Sequence, residues 1–392
     1  MISVEEAKLI VMQNVQELKE GLIVSVKDAL GFRLSEAIYS PADLPPFDQS
    51  NVDGYAVCGN LQTWTVTTEI KAGDFSSIQL ESGRAARIYT GSMVPPGSDS
   101  VIMQERINRD GNAISITDDF KNGEHIRKKG SQIKTGEMAL PEGITINPSA
   151  IGFISSMGLK EINVYRKPEI VLVITGNELQ EAGTEPQPGK IYESSSLALA
   201  AAVNAMGLSI REIIFVKDDK EGVAEAVGIA MKKADLLLIS GGISVGDYDF
   251  VSEVLQENGT KTLFYKVAQK PGKPLFFGEN AGTYIFGLPG NPASALTCFY
   301  EFVYPCLRKM QGYKNPFLQL VQLPATFALT KKSGLSFFLK AYAGEAYVTS
   351  LEGQESYKMR SFAEANAFIY LPSEKESVSA GELVEVHLLP GF

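Results

Sequence analysis

Cysteine and histidine are scarce in this sequence of 392 residues, and that scarcity removes several chemistries at once. The three cysteines, Cys58, Cys298 and Cys306, lie too far apart for a Cys-x-x-Cys metal clip, and the last two fall in an apolar helical stretch where burial is expected. No disulfide framework is expected from them. The two histidines, His125 and His387, are isolated, so neither zinc chemistry nor a Ser-His-Asp triad has its raw materials in recognisable form. Basic charge is also in deficit. With 36 basic against 46 acidic residues, a formal net charge of −10, the chain is not a general nucleic-acid binder, although a few clustered lysines could still serve one small anion. Long hydrophobic runs are missing too: stretches such as Ile170 to Ile174 and Leu236 to Ile239 fall far short of the roughly 20 residues a membrane helix needs. No membrane partner is expected. The opening Met-Ile-Ser-Val-Glu-Glu carries acids where a signal peptide carries positive charge, so a cytoplasmic location is expected.

What is present is ordinary globular material, 44% hydrophobic and 21% charged, in a chain long enough for about two to four domains. Ser3 followed by Glu6 is a capping-box pattern. Ala7, Ile10, Val11, Val15 and Leu18 then recur at helical spacing, so the chain opens on an amphipathic helix. Between Leu44 and Gly143 short apolar runs alternate with Gly, Asn, Asp and Pro, which predicts a loop-rich antiparallel β module with strands near Trp64 to Ile70, Ala86 to Tyr89, Val101 to Met103 and Ala113 to Ile116. A helix at Ala150 to Met157 leads to the proline-marked hinge at Lys167 and Pro168. Beyond it, strands at Ile170 to Thr175, Ile213 to Val216, Leu236 to Ser240 and Tyr284 to Phe286 alternate with helices at Ser196 to Ala205, Gly222 to Lys232, Phe250 to Gln256 and Pro292 to Met310. That alternation predicts a mostly parallel sheet covered by helices on both faces, with ligands at the strand C-terminal ends. After Pro316 five strand-like runs predict a small C-terminal β-barrel.

Three strand-end loops could carry chemistry. The first is Thr175, Gly176, Asn177, Glu178 and Leu179, for which a capped turn with a solvated glutamate is an equal alternative. The second runs from Ser240 through Gly241, Gly242, Ile243, Ser244, Val245 and Gly246 to Asp249. Its glycines let backbone N–H groups approach an anion, and a helix start adds positive potential. It matches neither a Walker A loop nor a Gly-x-Gly-x-x-Gly fingerprint, but adjacent glycines, hydroxyls and a closing acid favour a phosphate-bearing ligand over a mere tight turn. Asp249 could cap that helix, hold a divalent cation, or both. The third loop, Lys266 to Pro274, carries Lys266, Lys270 and Lys273 on a rigid Pro271, Gly272, Pro274 frame and reads as an oxyanion site more than a solvated turn. Downstream, Pro289 to Pro292 places proline at a helix start, where it is favoured on structural grounds alone.

Taken in order, Phe47 to Ala56, Thr90 with Gly91, Thr175 to Leu179, Ser240 to Gly246, Lys270 to Pro274 and Gly287 to Pro292 closely resemble the molybdopterin molybdenumtransferase family, MoeA and the gephyrin E domain. Six ordered motifs over essentially the whole chain are far more specific than any one glycine-rich loop. The resemblance implies a multidomain α/β plus β fold: a helical and extended N-terminal dimerisation-type domain (1–45 and 140–167), an inserted β-rich domain (46–139), a doubly wound α/β molybdopterin-binding domain (168–312) and a C-terminal β-barrel (313–392). It implies insertion of molybdate into adenylylated molybdopterin, with release of AMP and formation of molybdenum cofactor, supported by Mg2+.

Carried over position by position, the family's functional acids match Asp53, Glu178, Asp218 and Asp249, its basic residues match Arg127, Lys266, Lys270 and Lys273, and Thr90, Ser240, Gly241, Gly242, Ser244, Pro289, Pro292 and Ser361 complete the site. Asp53, Glu178 and Asp249 are the implied metal ligands. The resemblance also implies a homodimer in which Asp53 of one subunit approaches Asp249 of the other, and dealings with a molybdopterin-adenylylating enzyme and with molybdoenzymes or their chaperones. Three positions depart from the pattern: Ser131 and Gln132 replace an acidic pair, Glu193 to Ser195 replace an Asp-x-Asn, and Lys340 replaces a barrel arginine, keeping the charge but losing the bidentate fork. The competing expectations are a molybdopterin adenylyltransferase and a non-catalytic scaffold built on the same fold.

Overall fold

The computed structural model describes residues 1–75, 77–243 and 250–391. The chain forms two compact units, one of residues 21–164 and one that joins residues 1–20 to everything from Tyr165 onward.

In the smaller unit, Asn147 caps the helix Pro148–Ser156 through the Ala150 amide at 2.8 Å, with Pro148 in the first turn where its missing N–H costs nothing. Ala150 and Ile154 of this helix join Val26, Leu34, Ile146 and Val164 in one core. The β module is a six-stranded sheet in the order Ser100–Met103, Gly54–Val57, Arg84–Ile88, Thr63–Ile70, Ala113–Ser115, Asn108–Asp110. It was expected to be antiparallel. The pairing of Thr63–Ile70 with Arg84–Ile88 is parallel, with an irregularity between Val66 and Thr68. The intervening segment is long enough for a crossover, a distinction that strand-length alternation cannot register.

The larger unit is built on a six-stranded sheet in the order Ile210–Val216, Ile170–Thr175, Leu236–Ser240, Thr283–Leu288, Phe276–Asn280, Lys261–Tyr265. The first four strands are parallel and the last two antiparallel. Alternate residues feed two cores. Leu172, Leu238 and Phe286 point to the face covered by the helix Ser195–Ala205 and the helical run from Pro292 to Met310, whereas Val171, Leu237 and Ile285 point to the face covered by Lys220–Met231 and Phe250–Glu257. Central strands buried on both sides are why these segments read as unbroken apolar runs. Each large side chain so buried contributes about 1.5–3 kcal/mol.

The first helix, Val4–Asn14, has its predicted capping box, with Ser3 Oγ accepting from Glu6 N at 3.0 Å and Glu6 accepting from Ser3 N at 2.8 Å. It belongs to the larger unit. Val4, Ala7, Val11 and Val15 enter the core of the α/β unit, Gln16 N donates to Tyr284 Oη at 2.9 Å, and Leu18 N donates to Met310 O at 2.8 Å. An apolar stripe announces that one face will be buried, but not which surface will bury it. The predicted helix from Pro292 to Met310 is likewise modified: the helices Pro292–Cys298 and Tyr304–Met310 are joined by a fully buried π-helical turn, Phe299–Val303.

The C-terminal strands pair in the order Gln319–Pro324, Leu383–Leu388, Ala367–Leu371, Ser336–Ala343, Val348–Ser350. An isolated bridge between Ala325 and Val348 returns the path to its start, so the five strands make a ring. The pair Gln269–Lys270 runs parallel to Ser336 and Phe337 and ties the lysine loop to this ring.

Candidate functional site

A cavity of about 520 Å³ opens at the C-terminal ends of the central parallel strands. Its floor is the turn after Leu236–Ser240, and two glycines give that turn its shape. Gly241 has φ +97°, and a Cβ there would lie 2.2 Å from the Thr175 carbonyl oxygen. Gly242 has φ +63°, and its Cβ would lie 2.7 Å from Val251 Cγ2. No L side chain fits either place, so backbone rather than side chain lines the cavity here; the Gly241 amide donates to Leu288 O at 3.4 Å, which leaves the Gly242 amide to offer to an anion. Beside it, at the end of the neighbouring parallel strand, stands the turn Pro289, Gly290, Asn291, Pro292, which begins the helix Pro292–Cys298.

Three acids line the same cavity, Glu178, Glu193 and Asp218. Asp218 is oriented by Thr175, a buried residue at its strand's end, whose hydroxyl donates to Asp218 Oδ1 at 3.0 Å; Asn177 Oδ1 receives the Asp218 amide at 3.3 Å. Glu193 accepts from the Ser196 amide at 2.8 Å and from the Ser196 hydroxyl at 2.5 Å, so this glutamate is committed to capping the helix Ser195–Ala205.

The lysine loop is held from below. Gly272, at φ +82°, sits so close to the buried Cys298 that a Cβ would come within 2.4 Å of its Sγ. Buried Gln269 donates to Gly272 O at 3.1 Å. Pro274 reaches the cavity lining, while Lys266 lies 4.7 Å over the Tyr265 ring and Lys270 5.4 Å over the Phe337 ring. Lys273 is exposed at the loop's tip.

Ser361 and Lys340 have a different employment. Both are buried, and Ser361 Oγ donates to Gly353 O at 2.7 Å. Lys340 Nζ donates to the carbonyls of Gly353 at 2.7 Å, Glu355 at 3.3 Å and Lys358 at 2.9 Å, and burial lowers its pKa from the usual lysine value. The two side chains fold the loop 353–358, whose Tyr357 lines the cavity.

In the smaller unit, Asp53 Oδ1 accepts from both the amide and the hydroxyl of Thr90 at 2.8 Å, and these bonds hold the Asp53 carboxyl below its ordinary pKa. Gly54 follows because a Cβ there would lie 1.9 Å from the Ile102 carbonyl oxygen. Arg127 pairs with Gln49 in a short antiparallel ladder, and Gln49 also bridges to Met93, so the segments carrying Asp53, Thr90 and Arg127 converge on one strand.

Known proteins match the chain over nearly its whole length. Residues 2–158 match the MoeA N-terminal region (domain I and II), 171–309 a probable molybdopterin binding domain, and 322–389 the MoeA C-terminal region (domain IV). The molybdopterin molybdenumtransferase of Haemophilus influenzae is 33% identical, covering 99% of this chain and 100% of that protein; its namesake in Staphylococcus epidermidis is 32% identical over 99% and 95%. The chain belongs to the MoeA family. Two crystal structures of the molybdopterin biosynthesis MoeA protein of Pyrococcus horikoshii superpose with TM-scores of 0.84 and 0.82, at 31% and 27% identity over 100% and 99% of this chain.

Of the residues that the MoeA resemblance singles out, one cavity gathers Glu178, Asp218, Ser240, Gly241, Gly242, Pro289 and Pro292. Asp53, Thr90 and Arg127 form a separate group in the other unit. Lys266, Lys270 and Lys273 share one loop beside the cavity, and Ser361 is turned toward the loop 353–358. Ser244 and Asp249 lie outside the described residues. Sequence reasoning missed Tyr192 and Tyr357 in the lining. Tyr192 follows the Glu178 loop and could have been found as an aromatic next to a site strand. Tyr357 carries no local signal, because another domain supplies it.

Proposed function

We propose that the chain is a molybdopterin molybdenumtransferase, inserting molybdate into adenylylated molybdopterin to form molybdenum cofactor and release AMP. The observation that carries this reading is the cavity lined by the Ser240 to Gly242 turn, by Pro289 to Pro292 and by Glu178 and Asp218, within a chain matched end to end by enzymes of that name.

In this reading the glycine turn receives a phosphate of the ligand on backbone N–H groups, and the cations of the Lys266 to Pro274 loop draw in the molybdate dianion. Fixed donors of this kind favour charge that develops on phosphate oxygens because they need no reorganisation during reaction. Glu178 and Asp218 would hold Mg2+ together with ligand oxygens. Mg2+ prefers one or two carboxylates plus phosphate and water, a donor set this cavity fits, although among the described residues no three His, Cys, Asp or Glu side chains form a metal cluster. When bound, the ion neutralises phosphate charge. Asp249 is assigned as a further ligand by the resemblance alone. The same reading takes the active form as a cytoplasmic homodimer, with Asp53, Thr90 and Arg127 of one subunit completing the site of the other, serving a molybdopterin-adenylylating enzyme upstream and molybdoenzymes or their chaperones downstream.

The test is incubation of the purified chain with adenylylated molybdopterin, molybdate and Mg2+. AMP release that requires molybdate is the expected result. Adenylylation of molybdopterin from ATP, without any molybdate-dependent AMP release, would replace this reading with the adenylyltransferase.

A further inference from the structure

Two tyrosine rings line the cavity from distant parts of the chain. Tyr192 anchors its hydroxyl by donating to Thr184 O at 2.8 Å and leaves its ring partly in water. Tyr357 is 64% exposed. A single exposed aromatic is unremarkable by itself. The support beneath this one is not.

The residues on either side of Tyr357 are both tied down. Ser356 Oγ receives Asn291 Nδ2 at 3.1 Å, a bond that joins the loop to the Pro289 to Pro292 wall, and the Lys358 carbonyl receives the Lys340 ammonium at 2.9 Å. Further back, Gln354 exchanges two hydrogen bonds with the Lys340 backbone at 2.9 and 2.8 Å, and Gly353 accepts from Lys340 and Ser361, both at 2.7 Å. A buried ammonium gripping three carbonyls is a costly way to shape a surface loop, since desolvation opposes the charge. Its outcome is an aromatic residue on a tied loop at the cavity that the Ser240 to Gly242 turn also lines. Aromatic rings bind planar heterocycles by stacking, and a ring presented on an ordered loop loses little freedom on binding.

We infer that Tyr357 stacks on a planar nitrogen heterocycle of the ligand whose phosphate lies on the Ser240 to Gly242 turn. This inference rests on the proposed function, and adenylylated molybdopterin has two such heterocycles, the pterin and the adenine. The shared chemistry is face-on stacking, and the two ligand halves, tested separately, tell which ring is held.

The experiment measures binding of AMP and of molybdopterin by equilibrium dialysis to the full-length protein, its Tyr357→Ala variant and its Tyr357→Phe variant, with thermal melting as a control on folding. Tyr357→Ala raises the Kd of one ligand by about 5- to 150-fold, the range for losing one base–aromatic stack. Tyr357→Phe, which keeps the ring, stays within about threefold of the parent. In turnover, the Ala variant raises KM more than it lowers kcat. An effect confined to AMP identifies adenine as the stacked ring, and one confined to molybdopterin identifies the pterin. Parent protein that binds while Tyr357→Ala binds both ligands equally well overturns the inference alone, as does a Phe variant that loses as much as Ala. Parent protein that binds neither ligand removes the functional reading and this inference together.

Discussion

Two of the cavities in the larger unit differ in what their polar groups are doing. The bigger, about 1070 Å³, is lined by Val4, Lys8, Glu301, Tyr370, Glu385 and His387 among others. Four of its charged groups satisfy one another: Lys8 meets Glu301 at 2.6 Å, His387 Nδ1 meets Glu301 at 2.8 Å and His387 Nε2 meets Glu385 at 2.9 Å, while Tyr370 bonds to Glu5. Burial pushes the Glu301 carboxyl up, but the charges of Lys8 and His387 outweigh it and hold the group down to about 2. Burial likewise pushes His387 down, and Glu301 and Glu385 more than reverse it, so its pKa lies above the ordinary 6.5. The smaller cavity has only half the volume, yet it presents glycine backbone and the Glu178 and Asp218 carboxylates at the ends of parallel strands. On the proposed reading, size is a poor guide to function in this molecule. A charged cleft whose groups neutralise one another belongs to the architecture, whereas the smaller cavity concentrates groups suited to meet a ligand.

Substitutions can break or sharpen that contrast. The largest effect is expected for Glu301→Ala, which takes the carboxylate partner from Lys8 and one of two from buried His387 and should cost about 3–5 kcal/mol in denaturant unfolding while AMP release per folded molecule stays within about twofold. A loss of activity without a loss of stability would place the larger cleft in the reaction and dissolve the contrast. Next is Gly241→Ala, whose Cβ would collide with the Thr175 carbonyl at 2.2 Å. Displacing the phosphate turn by that much should lower single-turnover AMP release by about a hundredfold, with a smaller change in unfolding free energy than Glu301→Ala. Lys340→Met removes the donor shared by three carbonyls and should cost about 1–3 kcal/mol, with faster amide exchange concentrated in 353–358. The smallest is a change of slope with pH. His387 has a raised folded pKa, so its stabilisation is complete below the unfolded value near 6.5 and fades as pH rises through the folded value. Melting curves of the parent should therefore fall with rising pH across that window, and His387→Gln should flatten the fall.

The sequence made the α/β alternation legible because a strand buried on both faces and a one-sided helix leave periodic marks on neighbouring residues. Ile170–Thr175 and Leu236–Ser240 have the boundaries their apolar runs predicted. The antiparallel strands Lys261–Tyr265 and Phe276–Asn280 escaped, because Lys261, Gly278, Glu279 and Asn280 blur the pattern. The cavity-wall motifs were legible as glycine and proline punctuation, where a positive φ or a close approach admits few residues. Long-range pairings were not. His387 looked isolated in the sequence, but the fold brings it against Glu301, 86 residues away, and Glu301 against Lys8, 293 residues away. Lys340 reads in the sequence only as the replacement of a barrel arginine, and the packed loop reveals the carbonyls it holds.

The π-helical turn at Phe299–Val303 acts as a phase shifter. An α-helix advances about 100° per residue, and a π-turn accommodates an extra residue, so everything after it is rotated by about that angle relative to what came before. The phase ahead of the turn is set by Pro292 at the cavity wall. The phase behind it is set by the docking of the first helix, where Lys309 Nζ bonds to Met12 O and Met310 O receives the Leu18 amide. Glu301 sits inside the shifter itself. The count of residues in this stretch is thus constrained as tightly as their identity: a chain one residue shorter could align its cavity end or its docking end, but not both.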